Sequence, residues 1–301
     1  MHVTARHLHD AGSILLPAAL LALLTSTLVV ETGLAPRPDV TGAEAVSPPA
    51  TVVLAPRAFD FRPSGEFDRA GTAVAPALER LRRDRPLEIM THEVTATDYA
   101  RCVGAGGCKP AHPRHHGTGD VPATGVSFND AVSYADWLSA QTGETWRLPS
   151  VEEWDFAAAG MAVGHGTEGL DGAADPARPW LAALDAAEEP TISPALRPVG
   201  GFGYNALGIG DLGGNVWEWT SDCNSRTRLR PDGGTITRIE SCGVRILEGS
   251  HRMPLSAFVQ DARGGGCSTG TPPDNLGFRL VREPAWYDGL PIAIRRVLRR
   301  L

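Results

Sequence analysis

Glycine and proline punctuate this chain so often that no long regular element can run through its centre. There are 34 glycines and 24 prolines among 301 residues, and each either loosens the backbone or removes a hydrogen-bond donor. No sustained 3.6-residue apolar period crosses the middle of the sequence. That pattern speaks against a helical bundle or a doubly wound sheet and for a loop-rich α+β domain. With 42% hydrophobic and 21% charged residues, the chain can bury one large core and still carry a tail at each end. The formal net charge is −7 and no basic stripe crosses the body, so nucleic acid is not an expected partner.

The N-terminus carries an uncharged run over residues 14–30, ILLPAALLALLTSTLVV. Its 17 residues lie between the hydrophobic region of a signal peptide and a minimal membrane span. Residues 1–31 therefore read as a signal peptide or a membrane anchor, and the lack of an evident cleavage site leans toward the anchor. Residues 32–50 are a Pro/Ala-rich linker. The body is expected over residues 51–284, followed by a basic amphipathic tail at 285–301. In that tail, apolar and arginine residues alternate at helical spacing, suited to an anionic membrane, a partner or self-docking. Either reading of the N-terminus puts the body outside the cytoplasm, in the periplasm or at the cell surface, anchored or secreted.

Cysteine usage agrees with export. Cys102 and Cys108 flank Val-Gly-Ala-Gly-Gly and suit a local disulfide, while Cys223 and Cys242 flank an Arg-rich segment and suit a second loop closure. Cys267, in a glycine-rich stretch, is the odd one and reads as a free thiol.

Short strands are expected at residues 52–54, 87–93 and 145–147, with capped helices between them. Thr95 with Asp98, Ser127 with Asp130, and Ser150 with Glu153 each have capping-box spacing. Val132, Ala135 and Leu138 mark the inner face of the second helix, and Gly143 ends it. Arg147 and the Glu152/Glu153 pair are placed to knit a strand end to a helix start. Residues 160–198 are Ala/Asp/Glu/Pro-rich and read as a surface excursion.

Several blocks, in order, carry a family likeness: Glu93-Val94-Thr95 with Asp98-Tyr99; Val126 to Ala131 with Tyr134 to Trp137; Trp146 through Gly160; Asn205 to Gly208 and Asp211 through Trp219; and Asn275-Leu276-Gly277-Phe278-Arg279. Together they resemble the formylglycine-generating-enzyme, or sulfatase-modifying-factor, family. The resemblance implies a single loop-rich α+β domain with a C-type-lectin-like fold. It also implies Ca²⁺ held by the oxygens of Asp211, Gly214, Val216 and Glu218, a hard donor set of the kind calcium takes. The competing reading is that Asp211 and Glu218 cap the turn and pair with an arginine.

Active members of the family resemble one another in a Gly-Gly-Ser segment followed by two cysteines, whose thiolates hold Cu(I) and drive oxidation of a substrate cysteine by O₂. The matching segment here starts Glu248-Gly249-Ser250, and the two cysteine positions are Met253 and Phe258. A thioether is a weak substitute for a thiolate and a phenyl ring is none. Ser250 and Trp217 match pocket residues of the family, and His251 lies beside the degenerate position. The His112/His115/His116 cluster reads as a solvated loop next to the first disulfide. Copper is not expected. The sequence therefore leads to an exported, calcium-bearing accessory or binding module for a protein, peptide or small ligand, with a divergent oxidase as the alternative.

Overall fold

The computed structural model describes residues 46–112, 117–158, 196–250, 252–257 and 276–285, and Val46–Pro284 group into one unit. Residues 14–30, His115, His116, His251, Phe258, Cys267, Asn275, most of the 160–198 excursion and the tail from 286 onward lie outside the described residues. Among the described residues no helix is long and apolar enough to cross a membrane.

The fold is mixed, as the breaker density requires. Strand β1 (Thr51–Leu54) opens the body, followed by β2 (Arg57–Phe61), β3 (Glu66–Arg69), β4 (Thr72–Ala73), β5 (Glu79–Arg83) and β6 (Leu87–Met90). Three helices follow: α1 (Ala96–Gly104), α2 (Phe128–Thr142) and α3 (Val151–Ala158), with β7 (Trp146–Arg147) between the last two. The second half is a long hairpin, β8 (Trp217–Leu229) and β9 (Thr235–Glu248), then β10 (Met253–Ser256), β11 (Leu276–Gly277) and β12 (Val281–Arg282). One sheet is antiparallel in the order β1-β6-β12-β7. The larger sheet runs β10-β9-β8-β3-β4, with β11 also parallel to β8. Strands β2 and β5 pair by themselves.

The caps form where the sequence places them. Ser127 and Asp130 exchange side-chain and backbone bonds as a full capping box, and Gly143 closes α2 at φ 68°, the left-handed region glycine tolerates. Ser150 and Glu153 do the same for α3, each side chain accepting from the other's backbone N–H at 3.1 and 3.0 Å. At α1 the box is one-sided: Thr95 accepts from the Asp98 N–H, while the Asp98 carboxylate takes the Thr95 hydroxyl. Arg147 forks onto Glu153 at 2.6 and 2.8 Å and also reaches Glu283. Glu152 instead lies 3.9 Å from Arg83.

Two features differ from the sequence-based expectation. The second strand stops at Met90 rather than Glu93; beyond it Val94 donates its N–H to the Phe278 carbonyl and accepts the Ala123 N–H. The strands between residues 57 and 83 and the long hairpin had no sequence signature, since most of their positions are polar or only half-buried. One apolar cluster gathers Tyr99, Tyr134, Trp137, Trp146, Trp219 and Phe278; a second gathers Phe59, Ile89, Trp154, Phe156, Ile209 and Val281. Tyr134 packs edge-on to Phe278 at 5.5 Å, and Phe128 to Trp219 at 5.9 Å, the geometry aromatic quadrupoles favour.

Candidate functional site

The registry of β11 against β8 sets the central geometry. Leu276 lies opposite Trp217 and Gly277 opposite Glu218, which delivers Arg279 to the Glu218 carboxylate. The guanidinium forks onto it, Nε to Oε2 at 2.6 Å and a terminal nitrogen to Oε1 at 2.7 Å, with both residues fully buried. The planar fork suits Arg and no other cation. Trp154 on α3 donates its indole N–H to the same carboxylate at 3.0 Å, and Arg279 spends another N–H on the Gly210 carbonyl. Glu93 lies 3.9 Å from Arg279, 1% exposed, with neither carboxylate oxygen hydrogen-bonded. Burial, opposed by Arg279 and reinforced by Glu218, pushes the Glu93 carboxyl up to about 8. Trp219 ties in the α2 block by donating to the Val126 carbonyl at 3.2 Å. The separate sequence blocks thus converge on one buried Arg279–Glu218 pair. Sequence reasoning missed Glu93, Trp154 and Arg279 as one unit; the signal was a charged residue embedded in each apolar block.

Of the expected calcium ligands, Glu218 is a member of this pair, and Asp211 and Gly214 accept backbone hydrogen bonds. Asp211 adopts φ 62° and is buried, its carboxylate accepting the backbone N–H groups of Phe202 at 2.8 Å and of Gly200. His92 lies 3.8 Å from it. The Gly214 carbonyl accepts the Val216 N–H at 2.6 Å, a tight turn about Asn215, whose side chain clamps the backbone of Arg197 from both sides. Glu218 belongs to Arg279 and Trp154. Among the described residues no group of three or more His, Cys, Asp or Glu side chains is arranged to hold a metal. The described geometry has Asp211 capping the turn and Glu218 paired with an arginine.

The degenerate copper segment forms the β9–β10 hairpin, with Met253 opposite Leu247 and Ser256 opposite Val244. Ser250 lies exposed at its tip, and Met253 is half-buried and packs against the aromatic core cluster. Gly249 must be glycine: a Cβ there would lie 2.7 Å from the half-buried Trp217 ring. Glu248, in place of the family's first glycine, is fully buried and ion-paired to Arg252, which also reaches Asp155 on α3 at 2.8 Å. This network, which sequence reasoning missed, pins the hairpin to α3. Burial lifts Glu248 to about 8 against the pull of Arg252.

Both expected disulfides are present, Cys102–Cys108 and Cys223–Cys242, with Cα separations of 5.3 and 4.4 Å. All described cysteines are therefore oxidised, in keeping with an extracytoplasmic setting. A cleft of about 770 Å³ opens beside α1, lined by Ala96, Ala100, Val103, Ala111 and Ala123 with Thr97 and Arg101 at hand, and its surface is mainly apolar.

Fold and site together define a disulfide-stapled α+β domain whose signature residues build a buried ion pair rather than an open thiolate centre. The chain belongs to the family of sulfatase-modifying factor enzyme 1-like domains, whose family model matches residues 37–284. It is 31% identical over 201 residues to the formylglycine-generating enzyme of Streptomyces coelicolor, covering 63% of this chain and 60% of that protein. It is also 31% identical over 171 residues to the inactive C-alpha-formylglycine-generating enzyme 2 of Mus musculus, covering 54% and 49% respectively. The solved structure of PvdO from Pseudomonas aeruginosa matches 78% of this chain and 95% of its own, at 23% identity and a TM-score of 0.48. The chain spans 57–60% of the length of the first formylglycine-generating enzymes it matches.

Proposed function

We propose that this protein is an extracytoplasmic accessory domain that recognises a peptide, protein or small ligand, or assists enzyme maturation, without copper-thiolate oxidase activity. The observation that carries the reading is Met253. At the first copper position stands a thioether packed against the aromatic core, where a thiolate free to grip Cu(I) is needed. The second position, Phe258, offers no donor atom, and the four described cysteines are held in disulfides. A relative named a formylglycine-generating enzyme and one named an inactive formylglycine-generating enzyme both match this chain, so the likeness is compatible with either state. The apolar cleft beside α1 supports ligand recognition. The lectin-like character of the fold, the anchor or signal peptide at residues 14–30 and a membrane-contacting tail belong to the same proposal. A second reading, a divergent formylglycine-generating or other metal-dependent oxidase using Ser250, Trp217 and His251, is favoured by the 31% identity to a named enzyme.

Incubation of the full chain with Cu(I), O₂ and a Cys-x-Pro-x-Arg peptide separates the two. An unchanged peptide mass is expected; loss of the thiol with formation of an aldehyde overturns the proposal. We retain calcium at Asp211, Gly214, Val216 and Glu218 as a subordinate proposal, in which the cation takes Glu218 from Arg279. A Tm raised by Ca²⁺ and lowered again by chelator supports it, because a ligand of the folded state alone must stabilise that state. An unchanged Tm at saturating Ca²⁺ overturns it.

A further inference from the structure

Among the described residues, the tip of the long hairpin leaves a strand edge uncovered. Residues 235–243 of β9 are exposed in unbroken succession. Their inner side pairs with β8, but on the outer side β10 ends at Ser256 opposite Val244, with one further bond from the Ala257 N–H to the Gly243 carbonyl. Beyond that point no described strand pairs with the edge. Natural edges of this length are usually blunted by Lys, Pro or a covering element, because unpaired N–H and C=O groups template another strand. Neither Lys nor Pro occurs between residues 235 and 243, and Ile236 and Ile239 are 50% and 64% exposed. The charges in the stretch are Arg238 and Glu240, 3.4 Å apart.

The order Thr237-Arg238-Ile239-Glu240-Ser241 is self-complementary about Ile239. In an antiparallel pair related by a two-fold axis through that residue, Arg238 faces the partner subunit's Glu240 and Glu240 faces the partner subunit's Arg238. Ile239 meets its own copy, and Thr237 meets the partner subunit's Ser241. Opposite charges, apolar pairs and hydroxyl pairs directly across a strand each stabilise it, whereas like charges there destabilise it. Moving the axis by one residue sets Arg238 against Arg238 or Glu240 against Glu240, so the charges fix the register. An isologous interface needs this kind of self-complementarity. We propose that the protein is a homodimer joined by antiparallel pairing of the β9 edge about Ile239.

Light scattering coupled to size exclusion on the full chain in mild detergent tests this, with circular dichroism confirming that each variant folds. The wild type is expected to have twice the chain mass at micromolar concentration. Arg238→Glu or Glu240→Arg alone is expected to weaken dimerisation by about tenfold or more, and the double exchange to restore it. In a Cys267→Ser background, Ile239→Cys is expected to form a disulfide-linked dimer on oxidation. A monomeric wild type overturns the proposal. So does a dimer unmoved by the single exchanges, a folded double exchange that stays monomeric, or the absence of the Ile239→Cys cross-link.

Discussion

Arg279 is the residue on which the family signature turns. It is fully buried and forked onto Glu218, while Glu93 stands close with neither carboxylate oxygen hydrogen-bonded. A buried pair of this kind is not by itself a large source of stability, but removing one member strands a charge where water cannot reach it. Arg279→Met is therefore expected to lower unfolding free energy by about 3–5 kcal/mol in urea denaturation. Arg279→Lys keeps the charge but loses the two-pronged contact, and is expected to fall between that variant and the wild type. At Met253 the opposite logic holds: the side chain feeds the core, and what it lacks is chemistry rather than packing.

At the scale of elements, the β8–β9 hairpin depends on its cross-link. Cys223 lies opposite Arg245 and the next residue, Asn224, opposite Ser241, so residues 242–244 bulge out of the ladder. The Cys223–Cys242 disulfide spans this irregularity and closes a loop with sequence separation 19. In the chain-entropy view such a loop contributes about 3 kcal/mol. Cys223→Ser with Cys242→Ser is expected to reduce unfolding free energy by about that amount, measured against the wild type by urea denaturation with the first disulfide intact. The hairpin carries polar residues on both faces near its tip, which leaves little hydrophobic burial to hold the strands together without the bond.

For the molecule as a whole, buried carboxyl groups set the response to pH. Burial raises both Glu93 and Glu248 to about 8 and lifts Asp155 and Asp222 as well, while Arg147 and other partners hold Glu153 low despite its burial. A carboxyl that titrates higher in the folded than in the unfolded chain keeps its proton preferentially when folded. Its stabilising contribution is complete below the unfolded value of 4.5 and is lost as pH rises through the folded value of about 8. Thermal unfolding is therefore expected to show Tm falling between about pH 5 and pH 8. Glu248→Gln is expected to flatten that decline; an unaltered slope in a folded variant would count against Glu248 as one of its causes.

Local patterns were legible in the amino-acid sequence because they depend on residues a few positions apart. The Ser127 and Ser150 caps, the Gly143 stop, the Arg147–Glu153 tie and both disulfides need only short spacing or an oxidising compartment to be read. The loss of a copper-thiolate pair at Met253 and Phe258 is likewise a matter of which atoms those side chains possess. Tertiary structure alone decided what the charged residues do. Glu93, Trp154, Glu218 and Arg279 are brought together by the parallel registry of β11 on β8 and the packing of α3, across as many as 186 positions, and nothing local encodes that meeting. The same long-range pairing brought an arginine to Glu218 and, among the described residues, left the β9 edge open, since partners for a strand or a buried charge are chosen by the fold as a whole.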